Sequence, residues 1–449
     1  MDFATRAWNH SFPFDPIVRS LLDTDFYKLL MQQLIWEEYP NVQVSWKLTN
    51  RTKTIRLAEE VDLGALREQL DHARSLRFTP SEIIYLRGQT FYGQSGIFKE
   101  GYVNTLQSFQ LPDYELGTEG GQIVLRFAGS WWETTMWEIP ALAIVNELRA
   151  RAVLAQMSRS ALDILYARAK VKLYAKLERL RGLAGLNLTD FGTRRRHGFL
   201  WQEHCVLTAA EVLGAEFTGT SNVFLAMKHG MEAKGTNAHE LPMVLAALAR
   251  QREPGDADAL RQSQYEVLRK WQNEYQGNLL VFLPDTFGTS QFLDGAPQWV
   301  SYWTGARPDS KDPFEAGEEL IGFWRRMGLS PEAIAANKLI IFSDALDVEI
   351  AGFEPNGGDI AALHAAFAGR VQLGFGWGTN LTNDFLGCHP ADPDALRAPS
   401  LVCKIETVNG HGAVKLSDNY AKALGPADEV TAYRKVFGAE GLREALVKV

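Results

Sequence analysis

Leu186-Asn187-Leu188-Thr189-Asp190-Phe191 runs straight into Gly192-Thr193-Arg194-Arg195-Arg196, and this junction decides the fold. The first six residues have the length of a short buried strand, and the glycine and polar run behind them read as a turn into a helix. The same unit recurs along the chain. Residues 215–218 precede Gly219-Thr220-Ser221-Asn222, and residues 279–283 precede Pro284-Asp285-Thr286-Phe287-Gly288-Thr289. Residues 299–303 precede a turn holding Arg307 and Asp309, residues 338–342 precede Ser343-Asp344, and residues 371–375 precede Gly376-Trp377-Gly378-Thr379. Strands alternating with helices predict parallel β-α units, closed as a barrel or opened as a doubly wound sheet. Either architecture gathers the residues after each strand at one edge, where α/β enzymes bind ligands. The polar signatures fall there, which points to a small-molecule enzyme.

Upstream of this repeat the pattern is mixed. Thr24 can cap a helix over residues 25–38 with Phe26, Leu29, Leu30 and Leu34 on one side. Val42, Val44, Trp46 and Leu48 alternate as in a half-buried strand, and residues 122–127 read as another. Thr79-Pro80-Ser81-Glu82 is a capping box with proline at the first helical position. Residues 134–181 form a helical region interrupted at Pro140, whose lysines and arginines from Lys170 to Arg181 read as a solvated face. Downstream, residues 401–415 read as a hairpin around Asn409-Gly410, followed by a closing helix.

The 449 residues allow up to about three domains. With 46 basic and 54 acidic residues the net charge is −8, so no general cationic field is available for nucleic acid. Cations for an anionic substrate must therefore be concentrated locally. Three cysteines without a C-x-x-C pair fit a reduced compartment and give no zinc or disulfide framework. No apolar run approaches the ~20 residues of a membrane span and no secretory signal is evident, so a cytoplasmic protein without membrane contact is expected.

The strand ends carry the chemistry. Arg194, Arg195 and Arg196 can hold a carboxylate and phosphates, or form a solvated basic turn. Thr220 and Ser221, with the backbone N–H groups of their turn, suit an anion, although the same residues suit a helix cap. Asp309, Asp312, Asp344 and Asp347 can hold ribose hydroxyls or hydrated Mg²⁺, while an N-cap role suits Asp312 equally, ahead of Pro313. Gly374, Gly376 and Gly378 permit close backbone approach to a phosphate. His239, with Glu240 beside it, can be a base, a nucleophile or a phosphoryl acceptor. His197, His204 and Cys205 lack the carboxylate or second cluster of a metal site.

Taken in order, these motifs resemble the nicotinate phosphoribosyltransferase family. The resemblance begins at Leu21-Leu22-Asp23-Thr24-Asp25-Phe26-Tyr27-Lys28 and runs through the residue 190–196, 219–222 and 235–240 segments. It ends with residues 307–313, Phe342-Ser343-Asp344, Phe375-Gly376 and Lys415-Leu416-Ser417-Asp418. It implies an irregular α/β barrel of the type II phosphoribosyltransferases over residues 136–399. A mixed α/β domain over residues 1–135, completed by the hairpin and helix of 400–449, would flank it. It implies a homodimer with active sites shared at the subunit interface. The implied reaction joins nicotinate to phosphoribosyl diphosphate, giving nicotinate mononucleotide and diphosphate, the first step of NAD salvage from nicotinate. Mg²⁺ would assist and ATP would be hydrolysed as co-substrate. Carried over by the resemblance, His239 is the histidine that ATP phosphorylates, with Arg307 and Asp309 beside the reacting sugar. Tyr27, supplied by the other subunit, and Phe191 sandwich the pyridine ring. Arg194, Arg195 and Arg196 cover the arginines near ring and diphosphate. Thr220, Ser343, Asp344, Gly376 and Gly378 fall where ribose and phosphate are held.

Two positions discriminate further. The related nicotinamide enzymes resemble this chain but carry aspartate where it has Ser221; serine removes a charge that would repel nicotinate's carboxylate, so nicotinate is the expected base. Lys311 stands where the family usually has glycine, and is expected to add a cation near the diphosphate. An aldolase would want a Schiff-base lysine at a strand end, whereas Lys338 begins its strand. A nucleotide sensor without turnover is the reading from another class, and the intact His239 and Arg307 count against it.

Overall fold

The computed structural model describes residues 2–8, 14–91, 93, 95–351, 357–438 and 441–444. Two sheets organise the chain. One is antiparallel, with strands in the order His411–Gly412, Leu401–Val408, Gln43–Asn50, Gln122–Ser130, Tyr114–Glu119. Val44, Trp46 and Leu48 all point inward along Gln43–Asn50, as their alternation requires. Asn409 and Gly410 both take positive φ, 47° and 83°, the twist that lets a two-residue turn close a hairpin. Tyr114–Glu119 was not legible because it is an exposed edge without apolar alternation.

The other sheet is parallel throughout, in the order Phe217–Thr220, Leu188–Asp190, Gln372–Trp377, Leu339–Phe342, Gly305–Ala306, Val281–Phe282. With its covering helices it forms the irregular α/β barrel. Its two edge strands are not bonded to each other among the described residues. The segment 232–239 spans the gap instead: Lys234 N donates to Thr220 O (3.0 Å), and Asn237 Nδ2 donates to Val281 O (3.3 Å).

Four expectations are corrected. Residues 299–303 are not a strand but part of the 3₁₀ turn Gln298–Tyr302, which buries Val300 and Trp303 at helical spacing. The strand is Gly305–Ala306, and a Cβ at Gly305 would lie 2.4 Å from Leu339 O. The strand expected at 215–218 is Phe217–Thr220, which moves Gly219 and Thr220 from the turn into the ladder. Pro140 does not interrupt its helix: it sits in the first turn of Glu138–Leu154, where N–H groups lack partners anyway. The break falls after Leu154, and Ser158 caps the next helix, Arg159–Leu180. Within that helix Lys172 and Lys176 are buried and paired with Asp384 and Asp347, so only part of the expected basic face is solvated.

The capping box at Thr79 forms, with Glu82 N donating to Thr79 Oγ1 (3.3 Å) and Thr79 N to Glu82 Oε2 (2.7 Å). The cap of the helix Phe26–Glu38 is Asp25, not Thr24, and its carboxyl makes no capping bond. All three cysteines are buried and free. Seven tryptophans are among the largest fully buried side chains, which puts them in the core. No helix among the described residues is long and apolar enough to cross a membrane.

Candidate active site

A cleft of about 690 Å³ opens at the carboxyl ends of the parallel strands, between the barrel and the antiparallel sheet. Tyr27, Phe191, Arg194, Arg195, Ser221, His239, Arg307, Asp309, Ser343, Asp344, Gly376 and Gly378 lie on its walls, while Thr220, Arg196, Lys311, Asp312 and Asp347 do not.

The aromatic wall comes from two junctions. Phe191 follows Leu188–Asp190, and its N–H donates to Trp377 O at 2.9 Å. A Cβ at Gly376 would lie 2.2 Å from the Phe191 ring, so this glycine makes room for an aromatic side chain. Tyr27 arrives through an antiparallel seam: Phe26 N donates to Ser221 O (2.7 Å), Val223 N to Thr24 O (3.0 Å) and Phe224 N to Leu22 O (2.8 Å). Gly235 lets that seam close, since its Cβ would sit 2.7 Å from Tyr27 N. Tyr27 therefore lines the cleft of its own chain, which corrects the expectation of a ring supplied by a second subunit.

The three arginines divide. Arg194 lines the cleft, and although burial works against its charge, Tyr27, Glu138, Asp25 and Asp309 hold it above its ordinary value. Arg195 is pushed down to about 9, by burial first and then by Arg194 and Arg51. This is a local excess of positive charge that an anion would relieve. Arg196 is no ligand residue: it is fully buried, holding Asp23 through two bonds of 2.7 and 2.8 Å and reaching Ile17 O and Gln202.

Ser221 faces the cleft and donates to Asp25 Oδ1 at 2.7 Å. Thr220 turns inward, donating to Asp190 Oδ2 (2.7 Å), and the N–H groups of its turn are already used by Glu232 O, Asp190 O and Thr220 Oγ1. Asn222 caps Val223–His229. The cap reading is the right one there, because the strand runs two residues further than its sequence suggests.

His239 is the best-held polar group in the cleft. Its Nε2 lies 2.8 Å from Asp309 Oδ2 and its Nδ1 lies 2.9 Å from Thr286 Oγ1. The orienting carboxylate is Asp309, not the neighbouring Glu240, which pairs with Lys28 and Trp131. Burial, then Lys415, push the imidazole down to about 4 despite Asp285 and Asp309. Burial favours a protonated Asp309, yet the hydrogen bond from His239 and the Lys415 ammonium hold its carboxyl well below the usual range. Asp309 can only accept and the Lys415 ammonium, 3.0 Å from the same Nε2, can only donate, so these contacts orient the ring without fixing which nitrogen carries its proton. Arg307 donates to Ser343 Oγ (3.2 Å) and Asn237 O (3.0 Å).

His239, Asp285 and Asp309 bring three ligand atoms together. They do not fit a resident metal ion, because Lys415 Nζ already stands 3.0 Å from His239 Nε2, 3.6 Å from Asp309 and 3.8 Å from Asp285. Sequence reasoning gave Lys415 no role, and missed Arg51, Lys404 and Lys422, which also line the cleft. Lys422 pairs with Asp344 and Lys404 with Glu138. They lie outside the strand-end turns, Arg51 ahead of the parallel strands and the three lysines beyond the last of them; the only signal was Lys415 within a motif of the resemblance.

Three further candidates leave the site. Lys311 Nζ bonds Ser290 Oγ (3.1 Å) and pairs with Glu319, outside the cleft, and Asp312 caps Pro313–Arg326. Asp347 is buried against Lys176. Lys338, as expected, precedes its strand and donates to Ser301 O and Trp303 O.

The profile of the nicotinate phosphoribosyltransferase (NAPRTase) family matches residues 186–441, and that of the family's N-terminal domain matches residues 22–146. A nicotinate phosphoribosyltransferase of Vibrio cholerae is similar over 97% of this chain and 96% of its own, at 30% identity and a TM-score of 0.80. One from Porphyromonas gingivalis is similar over 94% of this chain and 100% of its own, at 25% identity and a TM-score of 0.76.

Proposed function

The chain belongs to the nicotinate phosphoribosyltransferase family, and on that premise we propose that it makes nicotinate mononucleotide from nicotinate and phosphoribosyl diphosphate, with hydrolysis of ATP. The observation that carries this reading is the convergence of Tyr27, Phe191, Arg194 and Ser221 with the neutral His239 in one cleft.

Tyr27 and Phe191 would hold the pyridine ring by its faces, and Arg194 would take the ring carboxylate. Asp309, Asp344, Ser343 and Arg307 would hold the ribose and its phosphate, with Gly378 leaving backbone exposed to oxygen atoms. Arg51, Arg195, Lys415 and Lys422 would neutralise the diphosphate as the bond from the anomeric carbon to oxygen breaks and the bond to the ring nitrogen forms. Mg²⁺ would enter as the companion of the diphosphate oxygens, a part of the substrate. His239 would accept the γ-phosphoryl group of ATP, releasing ADP, and later pass it to water. ATP must reach His239 through the same cleft as the sugar substrate. A homodimer in the cytoplasm is the assembly the family resemblance implies.

The test is mononucleotide formation with the two bases side by side near neutral pH. Nicotinate is expected to exceed nicotinamide by about a hundredfold in kcat/KM, the scale a single polar mismatch sets. Equal efficiency would sink the base assignment. Because Lys311 is engaged with Glu319, Lys311→Gly is expected to leave KM for phosphoribosyl diphosphate within about twofold, as for a substitution away from the ligand. A rise of tenfold or more would restore Lys311 to the site.

A further inference from the structure

A serine hydroxyl has one proton to give, and in this cleft Ser221 faces two claimants. Its Oγ lies 2.7 Å from Asp25 Oδ1, each residue is 3% exposed, and both line the cleft beside Tyr27 and Arg194. Asp25 stands at a helix N-cap yet makes no capping bond, so its carboxyl is committed to Ser221 rather than to the helix.

With Asp25 ionised, the serine proton is committed to the carboxylate and Ser221 offers the cleft only lone pairs. A ring carboxylate, itself only an acceptor, would meet a second acceptor and a like charge in a buried place. With Asp25 protonated, the pair reverses. Asp25 donates to Ser221 Oγ, the serine proton turns to the ligand, and the like charge is gone. Burial is the largest influence on Asp25 and raises its carboxyl from the ordinary value. Ser221, Arg194 and Thr193 favour the charged form, while Glu138 opposes it from the helix Glu138–Leu154. Asp190 and Tyr27 also face Asp25 from the adjoining strand and helix.

We propose that Asp25 is a specificity-determining residue that takes up one proton from solvent as nicotinate binds, freeing the Ser221 proton for the ring carboxylate. This rests on the reading of Tyr27, Phe191, Arg194 and Ser221 as the base pocket. No covalent bond of the base changes; one O–H bond forms on Asp25. Nicotinamide needs no such proton, because its amide N–H groups donate to the ionised Asp25 and to Ser221. Selectivity for nicotinate is therefore greatest at low pH and shrinks as pH rises.

The sign follows from the linkage. Below the free-enzyme pKa of Asp25 the Kd for nicotinate is flat; above it the Kd rises about tenfold per pH unit, one proton's slope. Calorimetry of nicotinate binding to the wild-type protein, from about pH 6 to about pH 8 in buffers of different ionisation heat, reads the uptake directly. It should approach one proton per nicotinate at the upper end. In Asp25→Asn the amide donates permanently to Ser221, so uptake is expected to vanish and the Kd to become flat in pH. Nicotinate bound by the wild type without proton uptake overturns the proposal and leaves the base pocket standing. Uptake retained in Asp25→Asn overturns it too. Failure of the wild type to bind nicotinate at any pH overturns both readings. The wild-type measurement decides alone should the variant not fold.

Discussion

Replacing His239 with alanine is expected to cut ATP hydrolysis in the presence of both co-substrates by roughly three orders of magnitude, the middle of what losing a catalytic group ordinarily costs. The reason lies in how the imidazole is kept. Burial and the Lys415 ammonium hold it near pKa 4, while Asp309 orients the ring through Nε2, so the imidazole keeps one nitrogen lone pair throughout the neutral range. The variant loses the only imidazole that lines the cleft among the described residues, and the flanking Asp309 and Lys415 cannot substitute. Mononucleotide formation should persist at a reduced rate, uncoupled from ADP release, because the cations that neutralise the diphosphate remain. Labelled ATP and nicotinate followed together measure both quantities. Full ATP-stimulated activity in the variant would end the phosphohistidine reading. The same geometry sets an acid limit for the wild type. The unprotonated imidazole is the active form, and its pKa is depressed, so ATP hydrolysis should hold as pH falls below the ordinary histidine value of 6.5 and fail only as pH nears about 4.

The second large effect concerns stability. Arg196→Met is expected to destabilise the fold by about 3–5 kcal/mol, the cost of stranding one member of a buried pair. Asp23 is fully buried against Arg196, and besides that arginine the same carboxylate accepts from Asn222 Nδ2 at 2.8 Å. Losing the guanidinium leaves a charge in the core and loosens the residue that caps Val223–His229, next to Ser221. Adding Asp23→Asn to Arg196→Met should recover much of the loss, since removing both partners leaves no unpaired charge. The midpoint of thermal unfolding for the wild type, the single variant and the double variant reads this cycle. A single variant as stable as the wild type would mean that Asp23 is held by other groups.

Legibility followed the range of the interactions. The β-α order, the capping box at Thr79, the hairpin at Asn409-Gly410 and the burial of Trp46 and Leu48 depend on neighbours within a few residues, and the local pattern reports them. The strand at 299–303 was misread because a 3₁₀ turn rich in tryptophan looks like a buried strand until Gly305 shows where the backbones meet. Thr220 and Gly376 were assigned to ribose and phosphate on residue type and on the family resemblance. A shift of two residues in one strand turned Thr220 inward, and the ring of Phe191 gave Gly376 a structural task of its own.

Residue order alone determined the parallel β-α units, the edge at which a ligand binds, and the local rather than global character of its cations, while the barrel was what the family resemblance implied. Residue order also named His239, Arg194 and Ser221, since each follows a strand or opens a helix, while Tyr27 and Phe191 were named only by the family resemblance. Only the tertiary structure decided which charges face one another. Arg51, Lys404, Lys415 and Lys422 come to the cleft from the antiparallel sheet and the C-terminal segment, while the adjacent Arg196 turns away to Asp23. The same holds for Tyr27, joined to its own barrel by the seam with residues 221–224, and for the Asp25–Ser221 contact that this seam creates. Periodicity records which way a residue points from its own element. Burial, charge and proton position depend on what other elements bring to the same few ångströms, and that is set by packing between distant parts of the chain.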